Sequence, residues 1–550
     1  MTINRRTALR TIGGSAALAL PAVTAHAATP PARFGHGVAS GDPAADGAIL
    51  WTRATPPAGA TGDIPLDWHV ATSEDGTPVA SGRATARAAR DFTAKVEVTR
   101  LTAGRDYWYW FTCGDGTRSP TGRFRTLPRG RTADVVLAVV SCQLYPGGYW
   151  HAYTAIAAEP RLDAVLHLGD YIYEYAPDGY GADIGRKLNR LPEPAHEIVT
   201  LADYRTRHAQ TKRDPAMQAA HARAAFLCVW DDHESANDAW VGGAENHDPA
   251  TEGDWGKRKA AAMQAYFEWM PIRDPKPGQP WAAINRAFDF GDLATLVMVE
   301  TRLLARSEQA APKGAGIAPD DYARMMAIRA RPDRDLLGKG QQDWVEAQLA
   351  RSVAAKRPWQ LLGNQVVMAR VPGPDLAAAL GDAGYAEFLA KAPAAYRDRI
   401  AEGQASYKAG LPFNFDSWDG YPPARERLYA AFRRAGSRPI VLSGDSHAGW
   451  ANDLHDDAGR LVAAEFGATA ISSPSYGSVL PGIGTIIADG SPEVRYCDQD
   501  RKGYLLLTLT PTRAQAQFRT VSSVIEPTFT TETTARWSVA AGSVAPIVEG

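Results

Sequence analysis

Four apolar segments of this chain each end in a short cluster of side chains that can bind metal ions or transfer protons, and this pattern restricts the possible folds. The clusters are Cys142 in VVSCQ, Asp170 and Tyr173 in HLGDYIY, Asp231, Asp232, His233 and Glu234 in CVWDDHE, and Asp445 and His447 in VLSGDSH. Continuous apolar runs are typical of strands buried on both faces of an α/β sheet. Because the carboxyl ends of parallel strands meet at one edge of such a sheet, we expect the clusters to share one site.

The spacing of apolar residues divides the chain into two parts. Between about residues 33 and 128, segments such as AILWTRA and DYWYWFTCG alternate apolar and polar residues, which predicts a small all-β domain of the immunoglobulin or fibronectin type. After Ala133, apolar strands alternate with helical segments, which predicts a layered α/β domain. We therefore expect a β-sandwich domain at residues 28–130 and an α/β domain at residues 131–550.

Residues 1–27 have the features of an export signal. Arg5 and Arg6 precede an apolar stretch, and the small residues Ala25 and Ala27 stand before the expected cleavage site. The arginine pair favours the twin-arginine export machinery over a general secretory signal with two incidental arginines. We expect an exported bacterial protein, periplasmic or extracellular, with no membrane anchor in the mature chain. The formal net charge of −2 gives no indication of a nucleic-acid-binding module.

A buried group of carboxylates, imidazoles, a thiol and a phenol would be unstable without positive charge, so the sequence predicts bound metal ions. Asp170 is placed to bridge two metals, and Tyr173 follows closely enough to reach one of them. Cysteine and tyrosine as anions suit trivalent iron. Each residue alone also has a structural interpretation: a helix cap for Asp170, a packed aromatic ring for Tyr173 and a small buried residue for Cys142. Their joint occurrence at strand ends favours the metal site.

The order of SCQ, GDYIYEY, WDDHE and SGDSHAGW after a small β domain resembles the PhoD-type alkaline phosphatases and phosphodiesterases. More distantly, the arrangement is similar to the purple acid phosphatases of the metallophosphoesterase superfamily. The resemblance implies a four-layer α/β/β/α sandwich and activity as a phosphoric ester hydrolase. Small phosphate esters are the implied substrates, with phospholipids as the alternative if the activity is of the phospholipase D type.

The resemblance also assigns metal ligands by position. The implied ligands of a ferric ion are Cys142, Asp170, Tyr173 and His447, with Asp170 shared between both metals. Asp232 and Asp445 would hold the second ion, and two carboxylates there suit calcium better than zinc. The expected cofactors are therefore Fe³⁺ and Ca²⁺, with other divalent metals as alternatives. Asn364 or Gln365 would replace a histidine ligand of the wider superfamily.

In the implied reaction, a metal-activated water attacks the phosphorus of the ester. His233 would bond a phosphate oxygen or protonate the leaving group, with its neighbour Asp232 on the second metal. Asp231 or Glu234 would orient the His233 ring. Asn237 would face the same site or lie on a helix surface.

Arg302 ends the apolar segment VMVETR, where it would bind substrate phosphate or form a structural pair with a carboxylate. The sequence leaves the pairing of Cys113, Cys228 and Cys497 open, whereas Cys142 should remain a free thiol.

Two other functions fit parts of the sequence. A calcium-dependent binding protein with an inactive α/β domain would lack some ligands, whereas DDH and GDSH are intact. A serine hydrolase would need Gly-x-Ser-x-Gly at the strand-to-helix turn, which SGDSHAG does not contain. The sequence therefore favours a phosphoester hydrolase over both.

Overall fold

The computed structural model describes residues 32–543 except 57, 60, 311–318 and 393, and in addition residues 548 and 549. The export signal expected at residues 1–27 lies outside the described residues. Within the described part, the chain has a mixed α/β fold with three β-sheets. None of the helices described there combines the length and the apolar character needed to cross a bilayer.

The largest sheet contains the strands that carry three of the four predicted clusters. Its ten strands, from one edge to the other, are β21 (Val548–Glu549), β20 (Thr531–Ala540), β19 (Arg513–Val521), β18 (Lys502–Leu509), β8 (Val135–Val140), β9 (Ala164–His167), β10 (Ala225–Cys228), β1 (Val38–Ala44), β2 (Gly47–Arg53) and β5 (Thr93–Val98). The central strands β8, β9, β10 and β1 are parallel to their neighbours in this group. All residues of β8, β9 and β10 are buried, as their continuous apolar sequences predict.

The second sheet carries the fourth cluster. Its strands, in spatial order, are β11 (Arg286–Phe290), β12 (Ala294–Met298), β13 (Trp359–Gly363), β14 (Ile440–Ser443), β16 (Leu461–Gly467), β15 (Gly449–His455) and β17 (Val494–Asp498). Leu361 packs in one core with Leu166 of β9, whereas the next residue, Leu362, packs in a different core with Leu428. Successive side chains of a strand point to opposite faces, so one face of this sheet shares a core with the ten-stranded sheet.

Helices connect the strands and cover the sheets. They are α1 (His151–Ala157), α2 (Ala182–Leu188), α3 (Leu201–Arg213), α4 (Pro215–Arg223), α5 (Pro249–Glu252), α6 (Trp255–Trp269), α7 (Pro319–Arg329), α8 (Gly338–Ala354), α9 (Leu376–Lys391), α10 (Ala394–Lys408), α11 (Pro422–Arg434) and α12 (Ile483–Gly490). The sequence sets several of their ends: Thr200 and Asp203 form a reciprocal capping box at α3, and Asp214 caps α4 just before Pro215.

The N-terminal strands are observed where the sequence predicts them, but they belong to two sheets. A four-stranded sheet has the order β4 (Pro78–Ala86), β3 (Ile64–Ala71), β6 (Asp106–Cys113) and β7 (Gly122–Arg125). The other strands, β1, β2 and β5, extend the ten-stranded sheet, where Gly41 lies opposite Phe226 of β10. Leu50 of β2, Val70 of β3 and Tyr109 of β6 share one core. The N-terminal part is thus continuous with the main sheet, and the division at residue 130 stays a prediction.

Candidate metal centre

The four predicted clusters come together beyond the carboxyl ends of β8, β9, β10 and β14. Val140 of β8 lies opposite His167 of β9, which lies opposite Cys228 of β10, so three segments leave the sheet side by side. At the end of β14, a Cβ on Gly444 would lie only 2.6 Å from the Ser141 hydroxyl. This close approach of the two sheets brings the distant segments to one place.

The first group of donors combines sulfur, oxygen and nitrogen. Cys142, Asp170 and His447 each offer one ligand atom, and these atoms lie within 4.8 Å of one another. The Tyr173 hydroxyl donates to Asp170 Oδ2 at 2.9 Å and lies 3.4 Å from His447 Nε2. His447 Nδ1 donates to the Pro474 carbonyl at 2.7 Å. Because a carbonyl only accepts, Nε2 keeps its lone pair facing the other donors.

A second group consists of carboxylates. Ligand atoms of Asp231, Asp232 and Asp445 lie within 4.8 Å of one another, and so do those of Asp232, Asp238 and Asp416. Sequence reasoning did not single out Asp416, which lies in an irregular segment after α10 rather than at the end of an apolar strand. Asp232 is common to both sets and therefore lies at the centre of the acidic group.

Arg302 lies among these carboxylates. Its guanidinium contacts Asp231, lies 2.6 Å from Asp416 Oδ2 and 3.2 Å from Asp445 Oδ1, and the side chain is fully buried. Burial opposes its charge, but the surrounding carboxylates, Asp231 foremost, raise the pKa of Arg302 well above its ordinary value. The structural pairing considered from the sequence is therefore present, and phosphate binding by Arg302 stays a prediction.

Several candidate ligands have strained backbones. Positive φ angles occur at Cys142 (60°), Asp170 (60°), Asp445 (60°) and His447 (58°). This left-handed region is uncommon for residues with a Cβ, and such strain concentrates at functional sites. Gly169 has a φ of 112°, and a Cβ there would lie 2.3 Å from Asp231 Cβ, so only glycine allows the turn before Asp170.

The donor set fits bound cations. Among the described residues, Asp170 Oδ1, Asp231 Oδ2 and Asp232 Oδ1 are buried without a hydrogen-bond partner. Burial raises the pKa of Asp170 well above its ordinary value, and repulsion from Asp232 adds to the increase. Burial and the Asp170 charge likewise raise the pKa of Cys142. Unpartnered buried anions are destabilising, and a metal ion supplies the missing charge and contacts.

His233 lies beside the first group and has a dedicated partner. Its Nδ1 is 2.7 Å from Glu174 Oε2, and its ring centroid is 4.2 Å from that of Tyr173. Glu174 is fully buried and accepts from the Asn237 backbone N–H at 2.7 Å and from the Asn246 side chain at 2.8 Å. The fixed carboxylate orients the imidazole, and within the described part of the chain Nε2 has no hydrogen-bond partner.

The expectation that Asp231 or Glu234 orients His233 is wrong, because Glu174 occupies that position. Asp231 pairs with an arginine, as described above. Glu234 accepts backbone N–H groups from Asp170 at 3.1 Å, from Tyr171 at 2.6 Å and from Asp231 at 2.8 Å. Glu234 therefore fixes the shape of the turn that carries the candidate ligands.

The amide side chains considered as ligands are engaged elsewhere. Asn237 Nδ2 donates to Glu245 Oε2 at 3.1 Å. Asn364 Oδ1 accepts from Trp418 Nε1 at 3.0 Å, and Gln365 Nε2 donates at 2.8 Å to a backbone carbonyl just after β12. The side-chain oxygens of Asn364 and Gln365 are thus occupied by other partners, since Gln365 Oε1 also accepts from the Thr301 hydroxyl at 2.7 Å, whereas a ligand role for Asn237 stays a prediction.

All four cysteines of the described chain are buried free thiols. The expectation that Cys142 remains unpaired is confirmed, and no disulfide joins Cys113, Cys228 and Cys497.

A mixed α/β fold that brings carboxylates, imidazoles, a thiol and a phenol together at its strand ends agrees with an enzyme that hydrolyses phosphoric esters. Residues 137–518 match the sequence pattern described as "PhoD-like phosphatase", and residues 19–128 match its N-terminal domain. The chain belongs to the PhoD-like phosphatase family. It is 34% identical to alkaline phosphatase D of Bacillus subtilis (strain 168) over 508 residues, which covers 90% of this chain and 78% of that protein.

A solved structure titled "Structure of PhoD" supports the same assignment. It aligns with a TM-score of 0.78 and 30% sequence identity over 95% of this chain and 92% of that one. The resemblance inferred from the sequence motifs is therefore confirmed, and the protein is a phosphoric ester hydrolase.

Proposed function

We propose that this protein is an exported, metal-dependent phosphomonoesterase and phosphodiesterase that binds iron and calcium. The observation that carries the proposal is the meeting of Cys142, Asp170 and His447, whose donor atoms lie within 4.8 Å of one another beside unpartnered buried carboxylate oxygens. Metal dependence explains why so many anionic donors are buried together. Export rests on the sequence of residues 1–27 alone.

The iron site would use Cys142, Asp170, Tyr173 and His447. Thiolate and phenolate ligands suit a trivalent ion, and the Nδ1–H bond of His447 to Pro474 keeps Nε2 available as a donor. The Tyr173 hydroxyl also lies 2.7 Å from Ser473 Oγ, which holds the phenol in place.

The calcium site would use carboxylates only, which suits a hard cation. The candidates are Asp232, Asp445, Asp238 and Asp416. Asp170, whose Oδ1 lacks a hydrogen-bond partner among the described residues, is the natural bridge between this group and the iron side.

Two cations in these positions would supply positive charge to the phosphoryl oxygens and lower the pKa of a coordinated water. His233, held by Glu174, would bond a phosphoryl oxygen or donate a proton to the leaving alkoxide through Nε2. The buried carboxylates keep the site electrostatically fixed before substrate arrives, so little reorganisation is needed in the transition state. Arg302, fully buried between Asp231, Asp416 and Asp445, would balance the negative charge of the acidic group.

The aromatic rim of the site supports small phosphate esters as the substrate class. Tyr180 is partly exposed, and its ring is stacked on His447 at 6.2 Å between centroids, while the Tyr175 ring lies 5.4 Å from that of His233. These rings would contact the leaving group of a small ester. Phospholipid diesters are the alternative substrates, and hydrolysis of vesicle lipids but not of soluble esters would favour them.

The layer order of the α/β part is also a proposal, and it is based on which sheets share a hydrophobic core. The shared core of the two large sheets supports a four-layer α/β/β/α arrangement, and the separate core of the N-terminal strands supports a small β-sandwich at residues 28–130.

Elemental analysis combined with an ester hydrolysis assay tests the proposal. Protein purified through its natural export route should contain iron and calcium and should hydrolyse aryl phosphate monoesters and diesters. Chelation should abolish hydrolysis, and iron together with calcium should restore it. Full hydrolysis by metal-free protein would refute the metal-dependent mechanism. A fully metallated chain without hydrolysis would instead favour the calcium-dependent binding protein.

A further inference from the structure

A second cleft lies at the opposite end of the ten-stranded sheet from the candidate metal centre. It has a volume of about 340 Å³ and is lined by Val135 and Ala164, the first residues of β8 and β9, and by Phe290 at the end of β11. Cys142 lies seven residues beyond Val135, and at about 3.3 Å per residue the two ends of this segment are roughly 20 Å apart. The cleft is therefore separate from the reaction centre.

The lining of this cleft carries an excess of positive charge. Four arginines and two aspartates line it: Arg125, Arg129, Arg131, Arg161, Asp134 and Asp163. Four positive and two negative charges leave an excess of two positive charges in a concave site. A concave surface of one sign concentrates its field and attracts ligands of the opposite charge.

The two carboxylates are already paired with two of the arginines. Asp163 lies 3.2 Å from Arg125 Nε and 3.0 Å from Arg161 Nη2, and Asp134 lies 2.8 Å from Arg161 Nη2. Arg161 Nε is buried and has no hydrogen-bond partner within the described residues. A buried donor without an acceptor is costly, so this nitrogen is a free donor in the lining of the cleft.

Arg129 and Arg131 supply the excess charge. Both are exposed, and neither contacts a carboxylate in the part of the chain that the structure covers. They flank Gly130, whose φ of 67° turns the connector and whose carbonyl accepts from the Asp292 backbone N–H at 2.9 Å. Thr132 N donates back to Asp292 Oδ1 at 2.9 Å. The two arginines thus extend from a backbone that is fixed before any ligand binds.

We infer that this cleft binds a tetrahedral oxyanion of the phosphate class, either free or as part of a phosphorylated molecule. Guanidinium groups form paired hydrogen bonds with such oxygens, and the two on the fixed connector, Arg129 and Arg131, give both charge and geometry. An oxyanion bound in the cleft would contact both the connector between the N-terminal strands and β8, which carries Arg129 and Arg131, and the segment before β9, which carries Arg161. Binding therefore stabilises the folded chain without taking part in hydrolysis.

Thermal unfolding of the full-length protein with sulfate as the probe tests this inference, because sulfate is tetrahedral and dianionic but is not an ester substrate. The titration is made at constant ionic strength with chloride as the balancing anion. The double variant R129Q/R131Q removes the unpaired guanidinium groups, and R83Q/R87Q is the matched control. Arg83 and Arg87 are exposed residues on or just after β4, and their replacement changes the net charge equally.

Sulfate should raise the melting temperature of the wild type and of R83Q/R87Q saturably, and this increase should be lost in R129Q/R131Q. The kcat/KM for an aryl phosphate should be equal in all three proteins, and so should competitive inhibition by phosphate, because the reaction centre is unchanged. An equal increase in R129Q/R131Q, or no increase over chloride in the wild type, would overturn the inference. Diffraction from crystals soaked in selenate would give a second reading, with anomalous scattering expected beside Arg129 and Arg131 and its absence there counting against the site.

Discussion

His233 Nδ1 lies 2.7 Å from Glu174 Oε2, and both side chains are buried beside the candidate metal centre. The carboxylate is fixed by the Asn237 N–H and by Asn246, so the imidazole has one defined orientation. This relationship makes Glu174 a positioning residue that acts through His233.

The variant Glu174→Gln should lower kcat strongly. The amide keeps the size of the side chain but loses the charge that holds His233, and removal of a properly placed proton donor typically costs roughly 10²-fold or more. Steady-state kinetics with an aryl phosphate measures the effect. Glu245→Gln, at an exposed residue nearby, is the control and should keep wild-type kcat. A folded Glu174→Gln enzyme with normal kcat would exclude this role.

The variant Cys142→Ser should retain much less iron. A serine hydroxyl stays protonated where a thiol can ionise, so the substitution removes one anionic ligand without changing size much. Iron per chain is measured by elemental analysis after dialysis. Cys113→Ser, a buried free thiol of β6 far from the centre, should leave the iron content unchanged. Equal iron in both variants would remove Cys142 from the ligand set.

The variant Arg302→Met should destabilise the fold. Arg302 is fully buried and pairs with Asp231, Asp416 and Asp445, so its loss leaves buried carboxylates uncompensated, which typically costs about 3–5 kcal/mol. Denaturant unfolding measures the loss. Arg351→Met breaks a solvent-exposed pair with Asp289 and should cost less than about 1 kcal/mol. Similar losses in the two variants would contradict the importance of the buried pairs.

The free energy of unfolding should rise with pH between about 7 and 10.5 because of Lys212. Burial lowers the pKa of Lys212 to about 7 from an ordinary value of 10.5, and its Nζ lies 3.0 Å from His221 Nε2. Between these two pH values the unfolded chain binds a proton that the folded chain does not bind. The free energy of unfolding therefore increases as pH rises through this window, by about 1.4 kcal/mol for each unit of pKa difference.

Melting temperatures from pH 7 to pH 10 test this contribution. Lys212→Met removes the ionisable group and should flatten the increase, whereas the exposed change Lys187→Met should leave the slope as in the wild type. An identical slope in Lys212→Met would show that other groups control the dependence.

The strands and most of the candidate ligands were predictable because their signals are local. Buried strands such as β8 have continuous apolar sequences, and the residue that follows such a strand end is readily identified as a candidate ligand. Asp170 and His447 could be found in this way. The pairing of β1 with β10, in which Gly41 lies opposite Phe226, was not predicted, because a pairing between strands so far apart in the sequence leaves no local pattern.

Other parts of the site depend on contacts that sequence spacing does not encode. Asp416 follows no apolar strand, and it joins the acidic group only because an irregular loop folds back beside Arg302. Glu174 stands in the quoted GDYIYEY motif, but its direction towards His233 is set by the turn after Asp170. The sequence instead suggested Asp231 and Glu234, which are nearer to His233 along the chain. In the structure Asp231 pairs with Arg302, and Glu234 accepts backbone N–H groups.

The strand order also constrains when the enzyme can acquire its structure during synthesis. β8, which leads to Cys142, pairs on one side with β18, where Leu505 lies opposite Val139. β10, which leads to Asp232, pairs with β1 near the start of the chain. A nascent chain that has been synthesised only as far as residue 450 does not yet contain β18. The pairing of β8 with β18 must therefore form late, as is typical of contacts between residues far apart in the sequence. The reaction centre is therefore expected to assemble only after β18, which ends at Leu509, has left the ribosome.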